Sequence, residues 1–401
     1  MRNLLERRAI TRYMPETELL LSCARPQPVC VGADPGVLLP DLSIDELLGS
    51  VRDWELVITQ AREHRVLPIL FSRLSKTDAA IPADLMRRLQ VENQRNVFHN
   101  LRNAAELIGV LSSFDAEMIP AMPFKGVVLG VTVYKDLARR PSGDLDLLIH
   151  HRDLKKAAAI LMKRGYVLRT PLRADGTQVL PDNCEYQFQR QADGMEIELR
   201  WRLGHDLGLE WAWPRRQRAM LSTVEVPNFD TESTLLILCM HGAEHEWSRL
   251  IWTCDIAQLL TSFPSLDWNR VIKEAKRVGF HRVLAAGVLL ARRVTGVAVP
   301  EDVLRSFEFD ASASNLAGHF QEALLDALGS PSPGPKPMRN SQLLGFRDGL
   351  RLLRSPHFLR PNERDREVVH LPESLHSLYY LVRAFRLIRR RFGFRPYESG
   401  T

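Results

Sequence analysis

Residues 124–151, FKGVVLGVTVYKDLARRPSGDLDLLIHH, carry two aspartates one residue apart at the head of an apolar run, and this constrains the chain more than any other feature. Successive side chains of a strand point to opposite faces, so Asp144 and Asp146 share one face while Leu145 and Leu147 share the other. The two Cα atoms would stand roughly 6 to 7 Å apart by strand rise, and buried carboxylates at that separation repel unless a cation lies between them. Mg2+ suits the position, because it is a hard ion that takes carboxylate oxygens together with substrate phosphates. A solvated strand end would show the same Asp-Leu-Asp. The surroundings favour the metal. Lys125-Gly126 closes the preceding strand and Arg139-Arg140 stands just before the acidic pair, and such groups hold a triphosphate. Gly126 permits a tight turn, and the helix expected over 127–137 starts there with its free amides toward the loop.

At 401 residues the chain has room for two or three domains. No apolar run approaches the roughly 18 residues that would cross a bilayer. The N-terminus is charged every few residues and lacks the apolar segment of a secretory signal, so a cytoplasmic location is expected. Cys23, Cys30, Cys184, Cys239 and Cys254 are scattered, odd in number and without a Cys-x-x-Cys pair, which argues against a disulfide framework or a thiolate zinc site. They read as buried small hydrophobes. The net charge of +6 suits an anionic ligand such as a nucleotide and is compatible with a nucleic-acid partner. Part of that excess belongs to the tail, where Arg383, Arg386, Arg389, Arg390, Arg391 and Arg395 crowd together.

The chain divides by pattern into an N-terminal helical region (1–115), an α/β core (116–230) and a C-terminal helical region (231–401) with a proline-rich loop at 330–340. Residues 1–40 read as a mixed start, a short charged helix followed by irregular structure. A long helix is expected over 84–114, burying Leu85, Leu89, Val97, Leu101, Leu107, Ile108 and Leu111. The first strand falls at 116–124, a helix at 152–164 is capped by Gly165, and a strand opens at Tyr166. Strands at 184–190 and 195–203 flank the Asp193-Gly194 hairpin signal. In the second, Glu196, Glu198, Arg200 and Arg202 alternate with Ile197, Leu199 and Trp201, so its polar face can supply a third carboxylate. Residues 235–260 are too apolar for a free surface helix and contain His241, His245 and Asp255. The histidines have a spacing found in zinc sites, yet no Glu follows the first as in His-Glu-x-x-His and no third ligand is evident. Packing or hydrogen bonding is their expected role. Residues 374–392 form a basic amphipathic pattern, expected to dock on the core with arginines outward in preference to lying on a membrane.

In their order and spacing these segments resemble a large, mostly uncharacterised bacterial group of nucleotidyltransferase-like proteins within the polymerase beta superfamily. The resemblance is carried by residues 54–68, Phe124-Lys125-Gly126, Asp144-Leu145-Asp146-Leu147-Leu148, Lys163-Arg164-Gly165-Tyr166 and Glu198-Leu199-Arg200-Trp201. It continues through His241-Gly242, His245, Trp247 and Asp255 to Leu371-Pro372 and residues 378–383. It implies an α+β fold, a small mixed sheet between helical regions, and transfer of a nucleoside monophosphate from an NTP. By that resemblance Asp144, Asp146 and Glu198 form the catalytic and metal-binding triad for one or two Mg2+ ions, and Glu198 is the carboxylate best placed to take a proton from the acceptor. Lys125, Gly126, Arg139, Arg140, Ser142 and Gly143 are the expected nucleotide-binding residues. Two departures stand out: Lys125-Gly126 occupies the place where better-known enzymes have Gly-Ser, and Arg200 stands where the group usually has His. The acceptor is an unidentified hydroxyl on a small molecule, peptide or protein. Two alternatives stand beside this: a catalytically inactive scaffold of the same fold, and an enzyme adding nucleotides to RNA. The second is disfavoured because basic residues are not interleaved with aromatics.

Overall fold

The computed structural model describes residues 13–26, 37–38, 44–79, 81–169, 185–202, 212–329, 369, 371–383 and 385. Among the described residues five helices come first: α1 (Pro15–Cys23), α2 (Ile44–Leu48), α3 (Trp54–Glu63), α4 (Leu67–Leu74) and α5 (Ala83–Ala116). Asp53 starts α3 by accepting the Leu56 N–H at 2.9 Å, and Pro68 lies in the first turn of α4, where its missing N–H costs nothing. β1 (Ala121–Pro123), α6 (Gly126–Thr132), β2 (Leu145–Ile149), α7 (Leu154–Lys163), β3 (Tyr166–Leu168), β4 (Glu185–Arg190) and β5 (Glu196–Arg200) follow.

The strands form one sheet in the order β1-β2-β5-β4-β3. β2 and β5 run parallel and the other pairs antiparallel, so the sheet is mixed, as expected. β4 and β5 join at the expected hairpin, where Gly194 takes a φ of 70°. Leu145, Leu147, Ile197, Leu199 and Phe188 are buried with Leu107, Phe114 and Leu161 of α5 and α7. A second core forms from α1, α3 and α4 together with α8 (Thr231–Glu244), α9 (Leu250–Ser262), α10 (Trp268–Val278), α11 (His281–Thr295), α12 (Glu301–Phe309) and α13 (Ala311–Gly329). Met122, Phe124 and Leu148 of the sheet also belong to that core, so the two packed regions meet at β1 and β2.

Several expectations needed correction. Residues 235–260 are two helices, broken where Glu246 and Trp247 take φ values of 53° and 54°. The break lets Trp247 bury completely against two glycines: a Cβ on Gly242 or Gly287 would come within 2.6 or 2.9 Å of the indole. Burying an aromatic of this size outweighs a few helical hydrogen bonds. A hairpin of β6 (Gln217–Leu221) and β7 (Val224–Asn228) was not expected, because its strands are largely exposed and alternate poorly. Within the mixed start, α1 buries Leu19, Leu20 and Leu21. On α5, Leu101 is 55 % exposed, and Asn100 and Asn103 are the buried residues at that level. The helix expected over 127–137 ends at Thr132, and the first strand is confined to Ala121–Pro123.

Cys23, Cys239 and Cys254 are buried free thiols; Cys30 and Cys184 lie outside the described residues, as does the proline-rich loop 330–340. The basic pattern at 374–392 is described only in part: Tyr379 is buried, while Leu381 and Phe385 are exposed. No helix among the described residues is long and apolar enough to cross a membrane.

Candidate metal centre

The parallel register of β2 and β5 sets Asp146 opposite Glu198, and Asp144 precedes β2 by one residue. Carboxylate oxygens of the three lie within 4.8 Å of one another. Asp146 is buried, and Asp144 and Glu198 are half-buried. Asp144 holds its proton more tightly than usual, first because of Asp146 and then because of burial, with Lys125 and Arg65 pulling the other way. Asp146 is raised as well, by burial and by Glu198 against the opposing Lys125 and Arg200. The group resists full ionisation, and a divalent cation is the ligand that relieves such crowding.

Two cations are built into it. Lys125 sits at a φ of 63° and ψ of −155°, a backbone region that side chains rarely adopt, and its ammonium reaches Asp146 Oδ1 at 2.8 Å. Arg200 Nη2 binds Glu198 Oε2 at 2.7 Å and Glu185 Oε2 at 2.5 Å, and its Nε lies 4.0 Å from Asp146 Oδ1. Glu185, across from Arg200 on β4, is a fourth carboxylate that sequence reasoning missed. Burial pushes its pKa up to about 7, with Arg200 opposing and Glu198 adding to the rise. Nothing in a strand's sequence announces which neighbour will lie beside it. Glu196, on the same polar face as Glu198, is exposed and bonds Gln189 instead.

The loop between α6 and β2 is held by an amide ladder on α5. Asn96 donates to the Ala138 carbonyl at 2.8 Å, and Asn100 donates to Leu137 and Arg140 carbonyls at 2.6 and 2.9 Å while accepting the Ser142 N–H at 3.0 Å. Asn103 donates to the Ser142 carbonyl at 2.9 Å. This explains why asparagines replace aliphatics here: the helix faces backbone polar groups that need partners once buried. Their spacing on one face of α5 was the available signal.

Of the expected nucleotide-binding residues, Gly126 and Ser142 adjoin: a Cβ on Gly126, whose φ is +51°, would stand 2.8 Å from Ser142 Oγ. Ser142 Oγ in turn donates to the Asp144 carbonyl at 3.1 Å. Arg140 is elsewhere engaged, with Nε and Nη2 each 2.8 Å from an oxygen of buried Asp255, whose Oδ1 also accepts the Tyr134 hydroxyl at 2.8 Å. Arg139 lines a separate cavity beside Arg73.

Two arginines not anticipated approach the carboxylates instead. The Arg65 guanidinium nitrogens lie 3.2 Å from where a Cβ on Gly143 would stand. Arg249 is half-buried and stands over the Trp252 ring at 5.8 Å. Their meeting follows from His64, whose Nδ1 accepts the Leu250 N–H and whose carbonyl accepts the Ile251 N–H, both at 3.2 Å, so the end of α3 is tied to the start of α9. Among the described residues neither arginine has a carboxylate within ion-pair distance, although both act electrostatically on Asp144.

His241 and His245 gain the third donor that the sequence reading lacked, since their nitrogens and a Glu244 oxygen lie within 4.8 Å. Burial and the nearby Lys125 depress both imidazoles, His245 to about 4, so the rings are neutral at neutral pH. The same positive surroundings, Lys125 and Arg200 included, oppose a metal ion there. His245 stacks on Trp252 at 5.1 Å between centroids and meets His241 edge-on at 4.7 Å.

The chain belongs to the uncharacterised nucleotidyltransferase family, whose sequence signature matches residues 50–296, and so to the transferases that move nucleotidyl groups. No curated protein matches it. Among solved structures it is similar to the antibiotic-resistance factor ANT(2'')-Ia, at 14 % identity over 44 % of this chain and 92 % of that one with a TM-score of 0.32. It is also similar to an antigenic nucleotidyltransferase-like protein from Paracoccidioides brasiliensis, at 17 % identity over 45 % of this chain and 92 % of that one with a TM-score of 0.27. At such low scores the family match alone carries the assignment.

Proposed function

We propose that the protein is a metal-dependent nucleotidyltransferase that moves a nucleoside monophosphate from an NTP to a hydroxyl of an acceptor, with Asp144, Asp146 and Glu198 holding the cation. The observation that carries this is the crowding of Asp144, Asp146 and Glu198, whose oxygens lie within 4.8 Å of one another, and in which Asp144 and Asp146 hold their protons more tightly than usual even with Lys125 and Arg200 beside them. A divalent ion such as Mg2+ would be held by these three carboxylates and would supply charge neutralisation for the triphosphate at the reacting end.

The remaining roles fall to side chains. Arg65 and Arg249, without a carboxylate partner among the described residues and close to Asp144, would take the β- and γ-phosphates, a role that the sequence reading had given to Lys125, Arg139 and Arg140. In the transfer, a bond forms between the acceptor oxygen and the α-phosphorus, and the α-phosphorus bond to the bridging oxygen breaks. Pyrophosphate leaves with that electron pair. The acceptor proton passes to a carboxylate, and Glu198 suits this because Arg200 engages only its Oε2. The neutral His241 and His245 rings and Trp252 would border the bound substrates.

A non-catalytic scaffold has its own supporting observation: Lys125 and Arg200 already partly neutralise the cluster without metal. Calorimetric titration of Mg2+ with a non-hydrolysable ATP or CTP analogue separates the two. Binding that requires the metal and disappears in Asp144→Asn/Asp146→Asn supports transfer. Absence of binding by any NTP analogue to the folded wild type leaves the scaffold.

A further inference from the structure

A second concentration of positive charge lies away from the carboxylates. A cavity of about 250 Å3 is lined by Arg25, Arg73, Lys76 and Arg139, with Tyr134 and Gln258 beside them. None of Asp144, Asp146 and Glu198 reaches it, and among the described residues no Asp or Glu lines it. Arg73 is 8 % exposed and is fixed in place by the carbonyl oxygens of Cys23 and Arg25, the first at 3.3 Å. Among the described residues it has no carboxylate partner. Burial weakens its hold on its proton, and Arg139 and Arg25 add to that effect while Cys23 opposes it.

The Arg73 and Arg139 guanidinium groups and the Lys76 ammonium around one small space repel each other, and such an arrangement is relieved when an anion joins it. Planar guanidinium forks match phosphate oxygens in pairs. Drug-sized ligands occupy roughly 300–1,000 Å3, so this cavity suits a single phosphate group or a small phosphorylated molecule better than a whole nucleotide. Redox chemistry is not its purpose. Cys23 and Cys254 line it, but burial pushes the Cys23 thiol up to about 12 and Cys254 higher, far from a reactive thiolate.

We propose that this cavity is an anion site distinct from the carboxylate cluster, taking a phosphate group held between Arg73 on α4 and Arg139 on the loop that leads to Asp144. The inference does not depend on the reading of the carboxylates. Arg139 adjoins Arg140, and Tyr134 on the cavity wall bonds the same Asp255 that holds Arg140, so an occupant would stiffen the loop carrying Ser142, Gly143 and Asp144.

The test is calorimetric titration of the full chain, in EDTA to remove metal, with inorganic phosphate and ribose 5-phosphate. Arg139→Ala/Lys76→Ala removes the two more exposed cations of the cavity, and Arg65→Ala/Arg249→Ala removes those beside the carboxylates. The expected result is binding to the wild type, weakened at least about tenfold in the first variant and restored towards wild type when Arg139→Lys replaces Arg139→Ala. The second variant should bind as the wild type does. Equal affinity for phosphate and ribose 5-phosphate would identify the free anion as the ligand, and tighter binding of the sugar phosphate an organic one. The proposal is overturned if neither probe binds, if binding survives in Arg139→Ala/Lys76→Ala, or if Arg65→Ala/Arg249→Ala abolishes it.

Discussion

Arg140 and Asp255 are joined by two parallel contacts of 2.8 Å, Nε to Oδ1 and Nη2 to Oδ2, with both side chains buried. The pair fastens the loop before Asp144 to α9. Removing one partner leaves a buried charge without compensation, so Asp255→Ala should destabilise the fold by about 3–5 kcal/mol in urea denaturation. Tyr134→Phe, which removes only the third bond to Asp255, should cost about 1 kcal/mol. Arg140→Met/Asp255→Leu should lose much less than Asp255→Ala alone; an equal or larger loss would mean that the pair is more than a clamp.

Asn100 satisfies three backbone groups of the same loop. Asn100→Leu keeps the volume and removes every one of those bonds. The expected cost is about 3 kcal/mol or more, from buried carbonyls and an amide left without partners. Amide hydrogen exchange at Ser142 should quicken relative to the helical core, which a change confined to α5 would not produce.

Acid should weaken the protein through His64. Its Nδ1 accepts the Leu250 N–H and its Nε2 meets the Ala327 carbonyl at 3.3 Å, a pattern that requires the neutral ring protonated on Nε2. Burial lowers its pKa to about 4, against an ordinary 6.5. The unfolded chain therefore binds more protons between those values, and the stability contributed by neutral His64 is present above 6.5 and lost as pH falls toward 4. The loss between pH 6.5 and 5 should be on the order of 2 kcal/mol for this residue. His64→Gln should flatten the stability profile over that window; an unchanged slope would assign the acid sensitivity to His241 and His245, whose pKa values are lowered as well.

Arg65 and Arg249 converge without carboxylate partners among the described residues, and their expected service is to the triphosphate. Each alanine substitution should weaken binding of a Mg2+–NTP analogue by roughly tenfold or more, the size of a lost charge-assisted hydrogen bond. The salt dependence of binding should become shallower in the double variant, since fewer charges then meet the ligand. Unchanged affinity in both variants would move the phosphates elsewhere in the cleft.

Much of this was legible in the chain. Asp144 and Asp146 stood out because a period of two places them on one face; the alternating strand offered Glu196 and Glu198 alike, and the family resemblance pointed to Glu198. Gly126 was legible as a turn and takes a φ of +51°. Arg140 was misread for a physical reason: an arginine beside an acidic strand looks alike whether it faces a ligand or a buried aspartate 115 residues onward. Glu185, Arg65 and Arg249 went unnoticed because none lies near the Asp-Leu-Asp in sequence, and the break before Arg249 depends on burying Trp247 between two glycines.

Local patterns, then, determined by themselves most of the helices, the strands around the site and the paired aspartates, because periodicity and turn chemistry act over a few residues at a time, while the mixed sheet was expected from the family resemblance. Only the tertiary structure decided which charges meet. Asp146 faces Glu198 through the parallel register, Arg140 is consumed by Asp255, and Arg65 reaches Gly143 because His64 ties α3 to α9. Electrostatic partners are chosen by distance in space, and residues far apart along the chain supply most of them here.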